Sequence, residues 1–212
     1  MGVTKLSGGI YLVIDPSMHE HELFRKLSGA LNSGIAAVQI WDHFPPSANI
    51  ENLVQKICEI CHNHNVPVLI NNRWQLLNTS AVDGVHFDEI PEDFNSIKER
   101  LGSNCMIGIT VNNDLSVVRW AEENRLDYIS FCSIFPSTTS NSCEPVNFES
   151  IKRTRSITSM PLFLSGGIRP TNIKKLKELD FDGVAVVSGI MSSDDPQNVT
   201  KNYLNELKNL NK

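Results

Sequence analysis

The sequence contains no long apolar run, no block of basic residues and no low-complexity tract. No stretch approaches the roughly 18 apolar residues of a membrane helix, so a membrane span is not expected. Met1 to Gly9 carry no basic patch leading into an apolar segment, and position 6 is Leu where a myristoylation motif wants Ser or Thr. Neither export nor lipid anchoring is therefore expected. The five cysteines form an odd set without an export signal, and they read as free thiols of a reducing cytoplasm. A net charge of −5 with no basic stripe argues against a nucleic-acid partner. It also means that a small anionic ligand must find a local positive site, because the global field does not supply one.

What is present is a packable chain of 212 residues, 41% apolar and 20% charged. That balance supports a single core rather than disorder. Short Val- and Ile-rich runs recur at Ile10–Ile14, Ala36–Ile40, Pro67–Ile70, Gly84–Phe87, Met106–Thr110, Tyr128–Phe131, Leu162–Leu164 and Val184–Val187. Apolar residues on both faces mark parallel strands covered on both sides. Between the runs, apolar residues return at helical spacing, as in Leu53, Ile57 and Ile60, or Ile173, Leu176 and Leu179. Asn147 and Asp195-Pro196 read as helix starts. The halves echo each other: Val66-Pro67 and Met160-Pro161 open corresponding strands, as do Asp83-Gly84 and Asp182-Gly183. The expected fold is α/β, a single-domain (β/α)8 TIM barrel over residues 1–212; a flavodoxin-like sheet would need fewer strands.

In such a barrel, chemistry sits at the carboxyl ends of the strands. Those positions hold Gln39, Trp41, Asp42, His43, Asn71, Asn72, Arg73, His86, Asp88, Glu89, Thr110, Asn112, Ser133, Ser137 to Ser140, Ser165, Gly166, Gly167, Val187, Ser188 and Gly189. The Ser165-Gly166-Gly167-Ile168 and Val187-Ser188-Gly189-Ile190 loops follow the last two strands. Glycine lets backbone N–H groups approach an anion, and phosphate barrels use this corner. The glycines could equally serve only to turn tight corners. His86 can be a catalytic histidine or a hydrogen-bonded core one. Pro136 to Pro145 is a polar loop of a length often used for lids. Cys58, Cys61 and His62 match a haem-attachment spacing, but they fall on a predicted helix away from the barrel mouth.

Gln39, Asn71-Asn72-Arg73, Gly84-Val85-His86, Gly108-Ile109-Thr110, Ile134-Phe135-Pro136-Ser137-Thr138-Thr139, Gly166-Gly167-Ile168 and Val187-Ser188 occur in this order. Together they resemble the landmarks of the thiamine phosphate synthase family, to which thiazole tautomerases are related. The resemblance implies a barrel enzyme that joins hydroxymethylpyrimidine pyrophosphate to a thiazole phosphate, releases pyrophosphate and uses Mg2+. It implies a place near the reacting centre for Thr110, binding of the pyrimidine and its pyrophosphate by Gln39 and Asn71, and phosphate binding by Ser137, Thr138, Thr139, Gly166, Gly167, Val187 and Ser188. Trp41, His43, Asn72 and Arg73 are expected beside the substrate at the same strand ends, and His86 is the further catalytic candidate. Asn72 and Asp88 are the metal candidates.

The departures cluster. The family's Gln-Leu-Arg-Glu-Lys is here Gln39-Ile40-Trp41-Asp42-His43, and its Asn-Asp is Asn71-Asn72. A metal aspartate falls on Pro91, and a lysine after Thr-x-Thr falls on Ser140. All these changes surround pyrophosphate and Mg2+, where cations and metal would neutralise the leaving group. The expected function is thus thiamine phosphate synthase-like with a degraded pyrophosphate subsite. The alternatives are a diverged thiazole-phosphate tautomerase-like enzyme and a non-catalytic phosphate-binding barrel. Expected partners are small phosphate-bearing substrates, without nucleic acid or membrane; a homodimer is left open.

Overall fold

The computed structural model describes residues 6–136 and 144–210. Eight parallel strands close into a barrel in sequence order. They are β1 (Gly9–Ile14), β2 (Ala37–Ile40), β3 (Val68–Asn71), β4 (Gly84–Phe87), β5 (Met106–Val111), β6 (Tyr128–Phe131), β7 (Leu162–Ser165) and β8 (Gly183–Val186). Closure is made by β1 on β8, with Gly9 opposite Gly183 and Leu12 opposite Val186. The strands expected from the sequence agree with these to within a residue or so at either end.

The period-2 alternation of each strand separates two apolar layers. Ile10, Leu12 and Ile14 point outward and join the layer between barrel and helices. Tyr11, Leu69, Met106, Tyr128 and Phe163 fill the inside of the barrel. Tyr128 fits because β5 carries Gly108 beside it: a Cβ there would lie 2.1 Å from Tyr128 Cζ.

The outer layer contains α1 (Glu20–Leu31), α2 (Ile50–His62), α3 (Phe94–Leu101), α4 (Leu115–Glu123), α5 (Phe148–Thr154), α6 (Ser188–Met191) and α7 (Pro196–Leu210). Asn147 Oδ1 accepts the Glu149 N–H and Asp195 Oδ1 accepts the Asn198 N–H, the two helix starts expected from the sequence. Ile173–Leu176 forms a short 3-10 turn in place of the expected α-helix, and Trp74–Asn78 covers the connection from β3 to β4 in the same way. Ile173 and Leu176 still bury fully, so their spacing records burial rather than helix length.

The barrel bottom repeats one device. Asp83, Asp127 and Asp182 each accept a backbone N–H from a neighbouring strand, those of Val68, Ile107 and Leu162. This is the physical content of the Asp-Gly echo in the sequence. Cys58 and Cys61 are buried on the inner face of α2, and burial pushes the Cys58 thiol up to about 12. His62 pairs with Asp83 at the barrel bottom, so this triplet is structural. Among the described residues, no helix is long and apolar enough to cross a membrane.

Candidate active site

A cavity of about 620 Å3 opens at the carboxyl ends of the strands, within the size range of small-molecule sites. Gln39, Trp41, Asn71, His86, Asp88, Thr110, Gly166, Gly167, Val187 and Ser188 line it, as the sequence suggested. His43, Asn72 and Arg73 lie outside the lining, at the mouth. Ser137, Thr138 and Thr139, with most of the loop expected to be a lid, lie outside the described residues.

One side of the cavity is a backbone cup. Gly166 and Gly167 have φ of 92° and 62°, where a side chain is strained. A Cβ on Gly167 would come within 2.5 Å of the Pro136 carbonyl oxygen. The glycines are thus required for the close approach of the segment after β6, and the same conformation exposes their amides. Among the described residues, the N–H groups of Gly166, Gly167 and Ile168 donate to nothing. The N–H groups of Ser188 and Gly189 stand in the first turn of α6, where no intrahelical acceptor exists.

The floor is a buried chain of hydrogen bonds whose direction can be worked out. Gln39 Oε1 can only accept, so the Tyr11 hydroxyl donates to it at 2.7 Å. Tyr11 then has no proton for Tyr128, and the Tyr128 hydroxyl donates to Tyr11 at 2.8 Å. His86 Nδ1 lies 2.8 Å from the Tyr128 oxygen and must carry the proton in that contact. His86 Nε2 is left as the acceptor, and Thr110 Oγ1 donates to it at 2.9 Å. Burial holds the His86 ring well below its ordinary value, at about 4, and the Asp88 charge only partly opposes this. The ring is therefore neutral, as a one-proton assignment requires. Burial also pushes the Tyr11 and Tyr128 phenols above their ordinary range.

The opposite side, at the ends of β2 to β4, is internally paired. Asp88 accepts from Asn71 Nδ2 at 3.0 Å and from Asn72 Nδ2 at 2.8 Å, and Asn72 Oδ1 accepts the Asp88 N–H in return. Asn72 reaches this position with φ of 57°, which asparagine tolerates. Arg73 pairs with Asp42 and covers the Phe44 ring at 5.4 Å. His43 Nδ1 pairs with Asp15 at 3.0 Å. Burial raises the Asp15 carboxyl, but bonds from Ser17 and His43 outweigh it and hold the group below its ordinary value.

The family description Thiamine monophosphate synthase matches residues 10–190. The chain belongs to the thiamine monophosphate synthase family.

The thiamine-phosphate synthase of Clostridioides difficile is 30% identical over 88% of this chain and 89% of its own length. That of Methanobrevibacter smithii is 26% identical over 97% and 98%. The Prochlorococcus marinus relative is 29% identical over 95% of this chain, which spans only 56% of that protein. The structure of a thiamine phosphate pyrophosphorylase from Pyrococcus furiosus superimposes with a TM-score of 0.82 at 19% identity, covering 97% of this chain and 98% of the other. That likeness establishes the barrel.

The Mg2+ implied by the family does not fit the residues present. Mg2+ prefers one or two carboxylates together with substrate oxygens. Here Asp88 faces two amide donors, Asp42 faces a guanidinium and Asp15 faces an imidazole. Among the described residues, no cluster of three or more acidic, His or Cys side chains could hold a metal.

Sequence reasoning missed Tyr11, Tyr128, Phe163 and Arg169, all of which line the cavity. The tyrosines carried a usable signal. Each is a hydroxyl-bearing residue inside an aliphatic strand, at the same parity as Val13 or Ser130. Arg169 immediately follows Gly166-Gly167-Ile168, so its place at the cup was readable too.

Proposed function

We propose that the chain performs the family reaction as a slow enzyme: its phosphomonoester half is intact and its pyrophosphate half is weakened. The bond between the pyrimidine methylene and a pyrophosphate oxygen breaks, pyrophosphate leaves with the electron pair, and the thiazole nitrogen takes the methylene. In this reading the thiazole phosphate sits in the cup formed by Gly166, Gly167, Ile168, Ser188 and Gly189. The observation that carries it is the set of backbone N–H groups in these two loops, unpaired and bordering the cavity.

The polar floor serves the pyrimidine. Because Thr110 donates to His86, its oxygen offers lone pairs toward a ligand N–H. His86 stays neutral and fixes the Thr110 hydroxyl; Gln39 keeps its amide N–H groups for the ligand, since its oxygen is used by Tyr11.

Ser188→Asp tests the cup. Aspartate is well tolerated in the first turn of a helix, so folding is retained while a negative charge enters the cup. Gly167 is the poorer choice, because any side chain there meets the Pro136 backbone. Calorimetric titration with thiazole phosphate should show at least a tenfold loss of affinity in Ser188→Asp. Equal affinity in the two proteins refutes the cup.

A second reading, an enzyme acting on a phosphomonoester without pyrophosphate chemistry, is favoured by the closed Asn71–Asn72–Asp88 set. Turnover of hydroxymethylpyrimidine pyrophosphate separates the two.

A further inference from the structure

The cavity is electrically lopsided. Among its described lining residues Arg169 is the one arginine or lysine, Asp88 is the one carboxylate, and His86 is neutral. Arg169 stands beside Gly167 and Ile168 on the β7 side, whereas Asp88 stands at the end of β4 across the barrel.

Arg169 also differs from the other arginine near the barrel mouth. Arg73 is neutralised by Asp42. The Arg169 guanidinium has no carboxylate or hydrogen-bond partner among the described residues, although its backbone is held firmly. Its N–H donates to Asn172 Oδ1 at 2.8 Å, and Asn172 Nδ2 donates to the Gly167 carbonyl at 2.9 Å. The Tyr203 hydroxyl fixes the intervening Ile168 carbonyl at 2.8 Å. The same hydroxyl lies where a Cβ on Gly189 would be, at 2.1 Å, so it touches both loops of the cup. The Arg169 charge is felt at this hydroxyl: burial pushes the Tyr203 phenol up to about 12, and the guanidinium pulls against it. A rigid backbone thus presents a free cation beside unpaired amides.

We propose that Arg169 is the specificity-determining cation of the phosphate cup, selecting a dianionic phosphate monoester over its uncharged alcohol. It also sets direction: the anionic end of the ligand lies toward Arg169, and the end near Asp88 carries no unscreened negative charge. This rests on the reading of the cup as a phosphomonoester site.

The test is calorimetric titration of the full chain with hydroxyethylthiazole phosphate, with the matching hydroxyethylthiazole alcohol and with inorganic phosphate. Wild type, Arg169→Met and Arg169→Lys are compared, with melting curves as a check on folding, which an exposed side chain should not disturb. Arg169→Met should bind the phosphate ester about ten- to hundredfold more weakly, as loss of a charge-assisted contact implies. Arg169→Lys should recover part of that loss, and affinity for the alcohol should not move. Phosphate ester binding by Arg169→Met within twofold of wild type overturns the role of Arg169 and leaves the cup standing. Wild-type affinity no greater for the ester than for the alcohol overturns the cup and Arg169 together.

Discussion

His86 Nε2 lies 2.9 Å from Thr110 Oγ1 while its Nδ1 lies 2.8 Å from the Tyr128 hydroxyl, so both ring nitrogens are engaged in the barrel interior. The bond directions traced from Gln39 put the proton on Nδ1. Nitrogen NMR should therefore find His86 as the neutral Nδ1–H tautomer at pH 7. Thr110→Val removes the donor to Nε2 and leaves a buried acceptor unpaired, which costs about 1–3 kcal/mol. Turnover should fall in that variant and return largely in Thr110→Ser, which keeps the hydroxyl. An Nε2–H tautomer in wild type contradicts the assigned directions.

The same ring gives a signed pH dependence. Its folded-state value is about 4 against an ordinary 6.5, because burial disfavours the charged form. The folded protein then binds fewer protons than the unfolded one. The contribution is fully present above about pH 6.5 and is lost as pH falls toward about 4. Between pH 7.5 and pH 5 it amounts to about 2 kcal/mol. Urea unfolding at these two pH values should show His86→Gln losing less stability than wild type by about that amount. Parallel losses in the two proteins contradict a buried neutral His86.

Asn72→Asp should make stability depend on Mg2+. The Asn72 amide nitrogen is 2.8 Å from Asp88 Oδ2. Replacing it by a carboxylate oxygen sets two negative groups against each other, a situation relieved by protonation or a divalent cation. The variant should melt lower than wild type without metal and recover on adding millimolar Mg2+, while wild type does not respond. A wild-type melting shift with Mg2+ equal to that of the variant contradicts the internally paired mouth.

Gly108→Ala tests the packing that seats the relay. The added methyl meets the Tyr128 ring at 2.1 Å, far inside contact distance. Overpacking of this kind typically costs about 1–3 kcal/mol. The Tyr128 hydroxyl would also shift relative to His86, so activity should fall along with the melting temperature. Unchanged stability contradicts the close contact.

The barrel was legible because strands buried on both faces read as aliphatic runs, from Ile10–Ile14 to the run beginning at Val184. The cup was legible because two glycine-bearing loops follow the last two strands. The relay was not, since it depends on which side chains meet across the barrel: Tyr11 and Tyr128 are 117 positions apart and touch through their hydroxyls. Pairing at the mouth was hidden for the same reason. Nothing in the sequence says which charges at the mouth meet; in three dimensions Asp42 is matched with Arg73, and His43 with Asp15. Helix length was misjudged around Ile173 and Leu176, because burial of two residues needs only one turn.

Thiamine phosphate formation by wild type and by the triple variant Trp41→Arg, His43→Lys, Asn72→Asp tests the central claim most directly. A buried charge-assisted contact is worth about 1.5–3 kcal/mol, so three absent contacts correspond to roughly three to six powers of ten in rate, less whatever neighbouring groups recover. With saturating hydroxymethylpyrimidine pyrophosphate, thiazole phosphate and Mg2+, wild type should release pyrophosphate far more slowly than about one per second. The triple variant should be at least tenfold faster. A wild-type turnover above about one per second, unimproved in the triple variant, would contradict a weakened pyrophosphate half.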